Sequence, residues 1–268
     1  VMVQAMASTI GIEATIEAAK KKIPIAIANK ETIIAAYSLI KPFDPILRPI
    51  DSEHSSLFKL YQNQRPLQAT ITGSGGPFLH RSLKDFSTVT LKEALSHPNW
   101  SMGVHNTVNS STMFNKALEV MEAFYLFGEA PSAMIEPTSR IHAFADYEDG
   151  MTQFLAYQPD MRVPILHALG FDKVYPYPFK KPLDFRPIEF LPIDAKRFPL
   201  FPLAYDALQK EGAPLSLLFL NEFLVEDFLK GRLSWLDMQH KLLQGYASLP
   251  QFSIDSIEAI EELKKITK

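Results

Sequence analysis

Apolar and polar positions change period several times along the chain, and those changes divide it. Residues 1–7 are apolar and β-compatible, 10–22 carry apolar positions at helical spacing with lysines gathered at the end, and 23–28 form another short apolar run. This pattern closes an α/β unit. A helix over 31–39 follows, and Pro42, Pro45 and Pro49 mark a crossing between modules. A strand over 68–71 runs into the turn Thr72-Gly73-Ser74-Gly75-Gly76-Pro77-Phe78. Ser110, Ser111 and Thr112, suited to capping a helix start, precede the helical pattern Met113, Leu118, Met121, Tyr125, which ends at Gly128. Alternation from Ser139 to Ala156, broken at Asp149-Gly150, predicts a hairpin, so the middle of the chain reads as a mixed sheet with helices. Residues 174–192 are dense in Pro, Tyr and Phe without periodicity, the profile of an extended connector. Helices over 205–209, 217–230, 234–246 and 255–265 then predict a small bundle, with Asp255 and Glu258 spaced as a capping box.

With 268 residues, 47% of them hydrophobic and 21% charged, the chain is a globular one with room for two or three modules. It has no apolar run near the ~18 residues of a membrane-spanning helix. A formal charge of -3 gives no basic footprint for nucleic acid. There is no cysteine, so disulfides and thiolate metal sites are excluded and any metal must be held by carboxylates or imidazoles. This fits the cytoplasm. The chain opens on Val1 with no signal-peptide pattern and reads as one cut from something longer.

Asp51 and Glu53 are two apart, so on an extended segment both carboxylates face one side and offer hard oxygen donors to Mg2+ or Mn2+; a bare D-x-E is also common at a solvated strand end. Asn115 and Lys116 stand four and three residues before Glu119, which puts an amide, a cation and a carboxylate on one helix face. An ordinary surface ion pair has the same spacing. The serines at 110 and 111 suit a phosphate at a helix start, or simple capping. The glycines around Ser74 allow backbone N–H groups and the Ser74 hydroxyl to approach an anion, or serve a tight turn; they match neither a Walker loop nor G-x-G-x-x-G. Trp100 and Met102 lie in a loop whose composition suits a lid, although a Trp is more often core. His54 and His97 gain interest only from their neighbours. His142 and His167 read as structural, and His80 and His240 as exposed.

Taken in order, Asp51-Ser52-Glu53-His54, the Ser74 turn, His97-Pro98-Asn99-Trp100-Ser101-Met102-Gly103 and the run from Asn109 to Glu119 resemble the 1-deoxy-D-xylulose 5-phosphate reductoisomerase family. Ala28-Asn29-Lys30-Glu31, Pro159-Asp160-Met161-Arg162, Pro182-Leu183-Asp184-Phe185 and Asn221-Glu222 extend the likeness over nearly the whole chain. The resemblance implies an α/β fold in which residues 1–50 end a Rossmann-like NADPH-binding domain. Residues 51–170 would form the catalytic metal- and substrate-binding domain with a mixed sheet, 171–196 a linker and 197–268 a C-terminal α-helical domain. It implies one Mg2+ or Mn2+ ion on Asp51, Glu53 and Glu119. The substrate would be held by Ser52, Ser74, His97, Trp100, Met102, Ser110, Asn115 and Lys116, with Glu119. NADPH would be held near Lys30, Glu31, Gly103 and Met161, and Lys30, Glu53 and His97 would be the catalytic groups. The implied reaction is retro-aldol isomerisation of the sugar phosphate and then hydride transfer from NADPH, in isoprenoid biosynthesis. A homodimer, and a plastid location in a plastid-bearing organism, are further implications of the family, and the 268-residue chain alone is expected to be inactive.

The chain departs from the family pattern at His105, Asn106, Thr107, Val108 and Asn109, where a basic residue and then I-S/T-V/I-D are usual. It departs again at Glu136-Pro137-Thr138-Ser139, where H-P-Q-S is usual, and at Phe114 and Ala117. An acid is lost at Asn109 and one is gained at Glu136. With most of the nucleotide domain also missing, the alternatives are a non-catalytic or fragmentary homologue that binds metal or phosphosugar, and a related phosphosugar oxidoreductase.

Overall fold

A computed structural model of the chain describes residues 1–62, 64–100, 102–171, 187–249 and 252–267. In chain order its principal elements are β1 (Met2–Gln4), α1 (Ile12–Lys20), β2 (Ile25–Ile27), α2 (Lys30–Ile40), β3 (Leu47–Pro49), α3 (Ser52–Leu60), β4 (Gln68–Gly73), α4 (Leu91–Ala94), α5 (Val104–Ser111) and α6 (Phe114–Phe127). They continue as β5 (Ser132–Ile135), β6 (Ile141–Asp146), β7 (Thr152–Ala156), α7 (Arg162–Leu169), β8 (Leu191–Pro192), α8 (Leu203–Ala207), α9 (Ala213–Leu229), α10 (Trp235–Tyr246) and α11 (Ile257–Ile266). The fold is α/β. Two compact units divide it: residues 1–74 with 122–192, and residues 75–121 with 193–268.

The first unit holds both sheets. β1, β2 and β3 pair in parallel in that order, and the fully buried run Ile25–Ile27 at the centre reads as the continuous apolar stretch a covered parallel strand requires. Ala18 and Ala19 of α1 and Ile33 and Ile40 of α2 pack with Ile25 and Ile27 into one core. The second sheet has the order β7-β6-β4-β5-β8, with β4 and β5 parallel and the other pairs antiparallel. The expected hairpin is β6–β7, turning at positive-φ Gly150. Helix α3 packs on β6, β4 and β7.

The expected connector over 174–192 lies mostly outside the described residues. Its end, Leu191–Pro192, pairs with β5 as an edge strand, a position where proline's missing N–H costs the ladder nothing.

The second unit is helical. α9 packs with α5, α8, α10 and α11, and Phe78, Phe114, Phe198, Phe219 and Trp235 are buried within the unit. α11 is capped one residue later than the sequence spacing suggests: the Ser256 hydroxyl, not Asp255, accepts from the Ala259 N–H at 3.1 Å. Helix α6 runs through the boundary between the units, ending at left-handed Gly128.

Candidate functional site

Asp51 and Glu53 do not lie on a strand. Asp51 is the N-cap of α3 and its carboxylate accepts the Glu53 N–H at 3.4 Å, so the two acids share a helix start and not a pleated face. The capping pattern won over the extended reading because Pro49 ends β3 and the next polar residue, Asp51, captures the first free helix N–H groups. Ser52, the first helical residue, donates its hydroxyl to Glu53, while its carbonyl accepts from Tyr157 at 3.1 Å. The Tyr157 ring in turn stacks on buried His142, with centroids 3.9 Å apart. His142 thus supports the helix start through Tyr157, in keeping with its structural reading.

Around Asp51 the first unit gathers a line of buried ionisable groups. Lys30, the first residue of α2, is 5% exposed and puts Nζ 3.0 Å from Asp51 Oδ2. The fully buried His54 turns Nδ1 to within 3.6 Å of Asp51 Oδ1 and 3.2 Å of Glu122 Oε2. Asp51, His54 and Glu122 offer ligand atoms that all lie within 4.8 Å of one another. Burial alone would raise the Asp51 carboxyl, but the Lys30 ammonium and then the His54 imidazole outweigh it and hold the group well below the usual carboxylate range. Asp51 is therefore a carboxylate. Glu122 was not singled out from sequence; the available signal was a lone acid inside the apolar stretch Val120-Met121-Glu122-Ala123.

In the second unit, Asn115 Nδ2 and Lys116 Nζ both donate to the Glu119 carboxylate, which confirms the shared helix face, and Lys116 and Glu119 are both buried. This is no solvated surface pair. Ser110 and Ser111 stand at the C-terminal end of α5 and not at the start of α6. Between the helices Met113 adopts left-handed φ of +59°, turning the chain so that Asn115 and Lys116 follow Ser110 within one bend. The ordinary reading of the serines as an N-cap is thereby replaced. Ser74 lies just beyond β4, at the end of the first unit, and Gly75 and Gly76 both have positive φ.

His97 accepts the backbone N–H groups of Asn99 and Trp100 on Nδ1, at 3.1 and 3.0 Å, and so folds the start of the Trp100 loop around its own ring. Burial pushes its pKa down to about 4, and an Nδ1 that accepts two hydrogen bonds carries no proton, so the ring is neutral with its hydrogen on Nε2. Trp100 is half-buried, and Gly103 is exposed at the cap of α5. Glu31 is half-buried on α2, and Met161 is exposed at the start of α7. His80 and His240 are exposed as expected.

The acid gained at Glu136 and the amide that stands in place of the lost acid at Asn109 are both engaged internally. Glu136, fully buried, accepts from the backbone N–H groups of Thr138 (2.8 Å), Arg140 (2.6 Å) and Ile141 (3.2 Å) and from the Thr138 hydroxyl, closing the β5–β6 turn. Asn109 accepts from Asn221 Nδ2 at 2.9 Å, and both side chains are buried.

The fold thus sets a line of buried ionisable groups at a helix start and an Asn-Lys-Glu cluster after a helix junction in an α/β protein. Family models described as the 1-deoxy-D-xylulose 5-phosphate reductoisomerase C-terminal domain match residues 47–127, the DXP reductoisomerase C-terminal domain residues 157–268, and 1-deoxy-D-xylulose 5-phosphate reductoisomerase residues 1–37. The chain is 36% identical to the 1-deoxy-D-xylulose 5-phosphate reductoisomerase of Chlamydia caviae, over 97% of this chain and 73% of that one. It is 38% identical to that of Protochlamydia amoebophila, over 98% and 73%. Among solved structures, the Zymomonas mobilis reductoisomerase in complex with NADPH is similar at TM-score 0.90 and 30% identity, covering 99% of this chain and 72% of that one. A DOX-P reductoisomerase in complex with NADPH, fosmidomycin and magnesium is similar at 0.87 and 30%, covering 99% and 73%. The chain belongs to the 1-deoxy-D-xylulose 5-phosphate reductoisomerase family, whose members are NADPH-dependent oxidoreductases of isoprenoid biosynthesis.

Proposed function

We propose that this chain carries the metal- and phosphosugar-binding parts of a reductoisomerase that converts 1-deoxy-D-xylulose 5-phosphate to 2-C-methyl-D-erythritol 4-phosphate with NADPH. The observation that carries the reading is Asp51 at the start of α3, kept ionised by the buried Lys30 at the start of α2. Asp51, Glu53 and Glu119 would hold one Mg2+ or Mn2+ ion. Their donors are hard oxygens, and the chain has no thiolate to compete. When bound, the ion supplies Lewis-acid polarisation of the substrate's carbonyl and hydroxyl oxygens, and NADPH supplies the hydride.

The chain's own residues do the rest. Ser74, Ser110, Asn115 and Lys116 hold the phosphate end and hydroxyls, with neutral His97 donating from Nε2 and Ser52 facing the substrate backbone. The Lys116 ammonium matches the phosphate charge, and its burial strengthens that attraction. Trp100 and Met102 cover the bound sugar and exclude water. Lys30, Glu31, Gly103 and Met161 face the nucleotide cofactor, for which residues 1–50 supply the end of the binding domain. We assign the protein to the cytoplasm as a homodimer; among the described residues no helix is long and apolar enough to cross a membrane.

The alternative, a non-catalytic or fragmentary homologue, draws on the missing nucleotide domain and on the substituted sites, of which Asn109 and Glu136 make internal hydrogen bonds. The test is NADPH oxidation by the polypeptide that carries this sequence, supplied with 1-deoxy-D-xylulose 5-phosphate and Mn2+. Glu119→Gln and Asp51→Asn are expected to lower kcat/KM on the order of a thousandfold. Unchanged turnover in both variants would sink the reading.

A further inference from the structure

Ser110 is half-buried, but the residues on either side of it, Asn109 and Ser111, are buried and held from elsewhere in the second unit. Asn221, in the middle of α9, donates from Nδ2 to Asn109 Oδ1 at 2.9 Å. Trp235, the first residue of α10, donates its indole N–H to Ser111 Oγ at 2.9 Å, and that hydroxyl in turn donates a hydrogen bond to the Val108 carbonyl at 2.7 Å. Trp235 also sets its ring edge-on against Phe78 and Phe86, each with centroids 5.0 Å away. Phe78 ends the glycine turn, and the same turn brings Gly76 so close to the α5–α6 junction that a β-carbon there would stand 2.5 Å from the Ser110 carbonyl oxygen. One indole therefore bonds the serine junction on its polar edge and walls the glycine turn with its ring.

We infer that Trp235 and Asn221 are positioning residues for the phosphate cradle, fixing the backbone on both sides of Ser110 so that its hydroxyl meets the phosphate in one geometry. The inference rests on the proposed reading of Ser110 and Lys116 as phosphate ligands. Its physical basis is directional: a buried indole N–H must find an acceptor, and by finding it in Ser111 the ring fixes that residue in distance and angle, as the buried amide pair fixes Asn109, in a way that apolar contact does not. The bundle at 197–268 then has a role beyond its own core, since helices α9 and α10 each supply one of the two anchors.

The test is calorimetric titration of the full chain with inorganic phosphate, beside a Mn2+ titration and a melting curve for every variant. Trp235→Phe keeps an aromatic ring and deletes the donor, Ser111→Ala deletes the same bond from the other end, and Asn221→Ala deletes the second anchor. Each single variant is expected to weaken phosphate about three- to tenfold, the size of one lost buried hydrogen bond, with Mn2+ affinity unchanged. The Trp235→Phe/Ser111→Ala double variant is expected to lose no more than the worse single, because both remove one interaction. If Ser110→Ala weakens phosphate but Ser111→Ala and Trp235→Phe do not, the inference is overturned and the cradle stands. If neither Ser110→Ala nor Lys116→Ala weakens phosphate, the cradle reading fails and takes the inference with it. A Trp235→Phe chain that does not fold leaves Ser111→Ala to decide.

Discussion

Lys30 Nζ lies 3.0 Å from Asp51 Oδ2 with both side chains withdrawn from solvent, so α2 and α3 begin at a shared ion pair. Breaking such a pair from one side strands the other charge, which costs more than the pair contributes. Asp51→Asn is expected to lower stability on the order of 3 kcal/mol at neutral pH, and Lys30→Met by less, since the Asp51 carboxyl can then take up a proton. The pH dependence has a fixed sign. Asp51 is depressed in the folded state, so its contribution is present above the unfolded carboxylate pKa and is lost as pH falls below about 4 toward the folded value. Denaturant melts of wild type and Asp51→Asn between pH 7 and pH 2 should converge on acidification. Parallel curves would contradict the pairing.

Glu136 closes a turn. Its carboxylate gathers three backbone N–H groups and a hydroxyl at the β5–β6 turn, where Ser139 is held at φ of +54°. Burial opposes its ionisation, but the Thr138 hydroxyl and N–H, then the Arg140 and Ile141 N–H groups, hold it below the ordinary value. Glu136→Ala leaves those donors unmet and is expected to cost about 3 kcal/mol in thermal unfolding, while Glu136→Gln keeps one acceptor oxygen and should cost about half as much. Mn2+ affinity should not move in either variant.

Much of this fold was legible in the sequence, because regular period announces regular structure. The hairpin followed from alternation at 139–156 and a Gly at 150, and the face shared by Asn115, Lys116 and Glu119 followed from helical spacing alone. Helix α5 was missed for the opposite reason: Val-His-Asn-Thr-Val-Asn-Ser-Ser is built from weak helix formers and starts at Gly103 with no side-chain cap, so neither propensity nor capping marks it. The D-x-E pair was read on a strand because two-residue spacing suits a pleat, whereas the capping geometry of Asp51 decided the matter. The partners that position the candidate site were beyond reach. Asn221 is 112 residues from Asn109 and Trp235 is 124 from Ser111, and no local pattern encodes a bond across such a span.

His97 provides a check on charge near the proposed phosphate cradle. Its pKa, pushed down to about 4 by burial, lies below the unfolded imidazole value near 6.5. The unfolded chain therefore binds the extra proton first as pH falls. Stability linked to His97 is complete above about pH 6.5 and declines toward pH 4. A nitrogen-detected titration of the ring should show the neutral Nε2–H tautomer down to about pH 5. A midpoint near 6.5 would mean that the loop at Asn99 and Trp100 is open in solution, and His97→Ala would then leave the stability profile unchanged between pH 4 and pH 7.

Gly76 tests the close approach on which the cradle depends, because its substitution meets two separate obstacles. Its φ of +65° lies in the left-handed region, where any β-carbon costs about 1 kcal/mol or more. Added to this is contact: a β-carbon would stand 2.5 Å from the Ser110 carbonyl oxygen and 3.2 Å from its carbon, and backbone cannot rotate away as a side-chain tip can. The glycine turn must therefore separate from the α5–α6 junction. Gly75 shares the positive φ, but the atoms nearest its missing β-carbon belong to the flexible Leu79 side chain, at 3.0 Å. Gly76→Ala is accordingly expected to weaken phosphate binding by more than tenfold and to lower the melting temperature more than Gly75→Ala does, while Gly75→Ala adds to the conformational cost only a shift of the Leu79 side chain and largely spares phosphate. Equal losses of affinity in the two variants would show that the left-handed backbone, and not the approach to Ser110, is what the turn requires of its glycines.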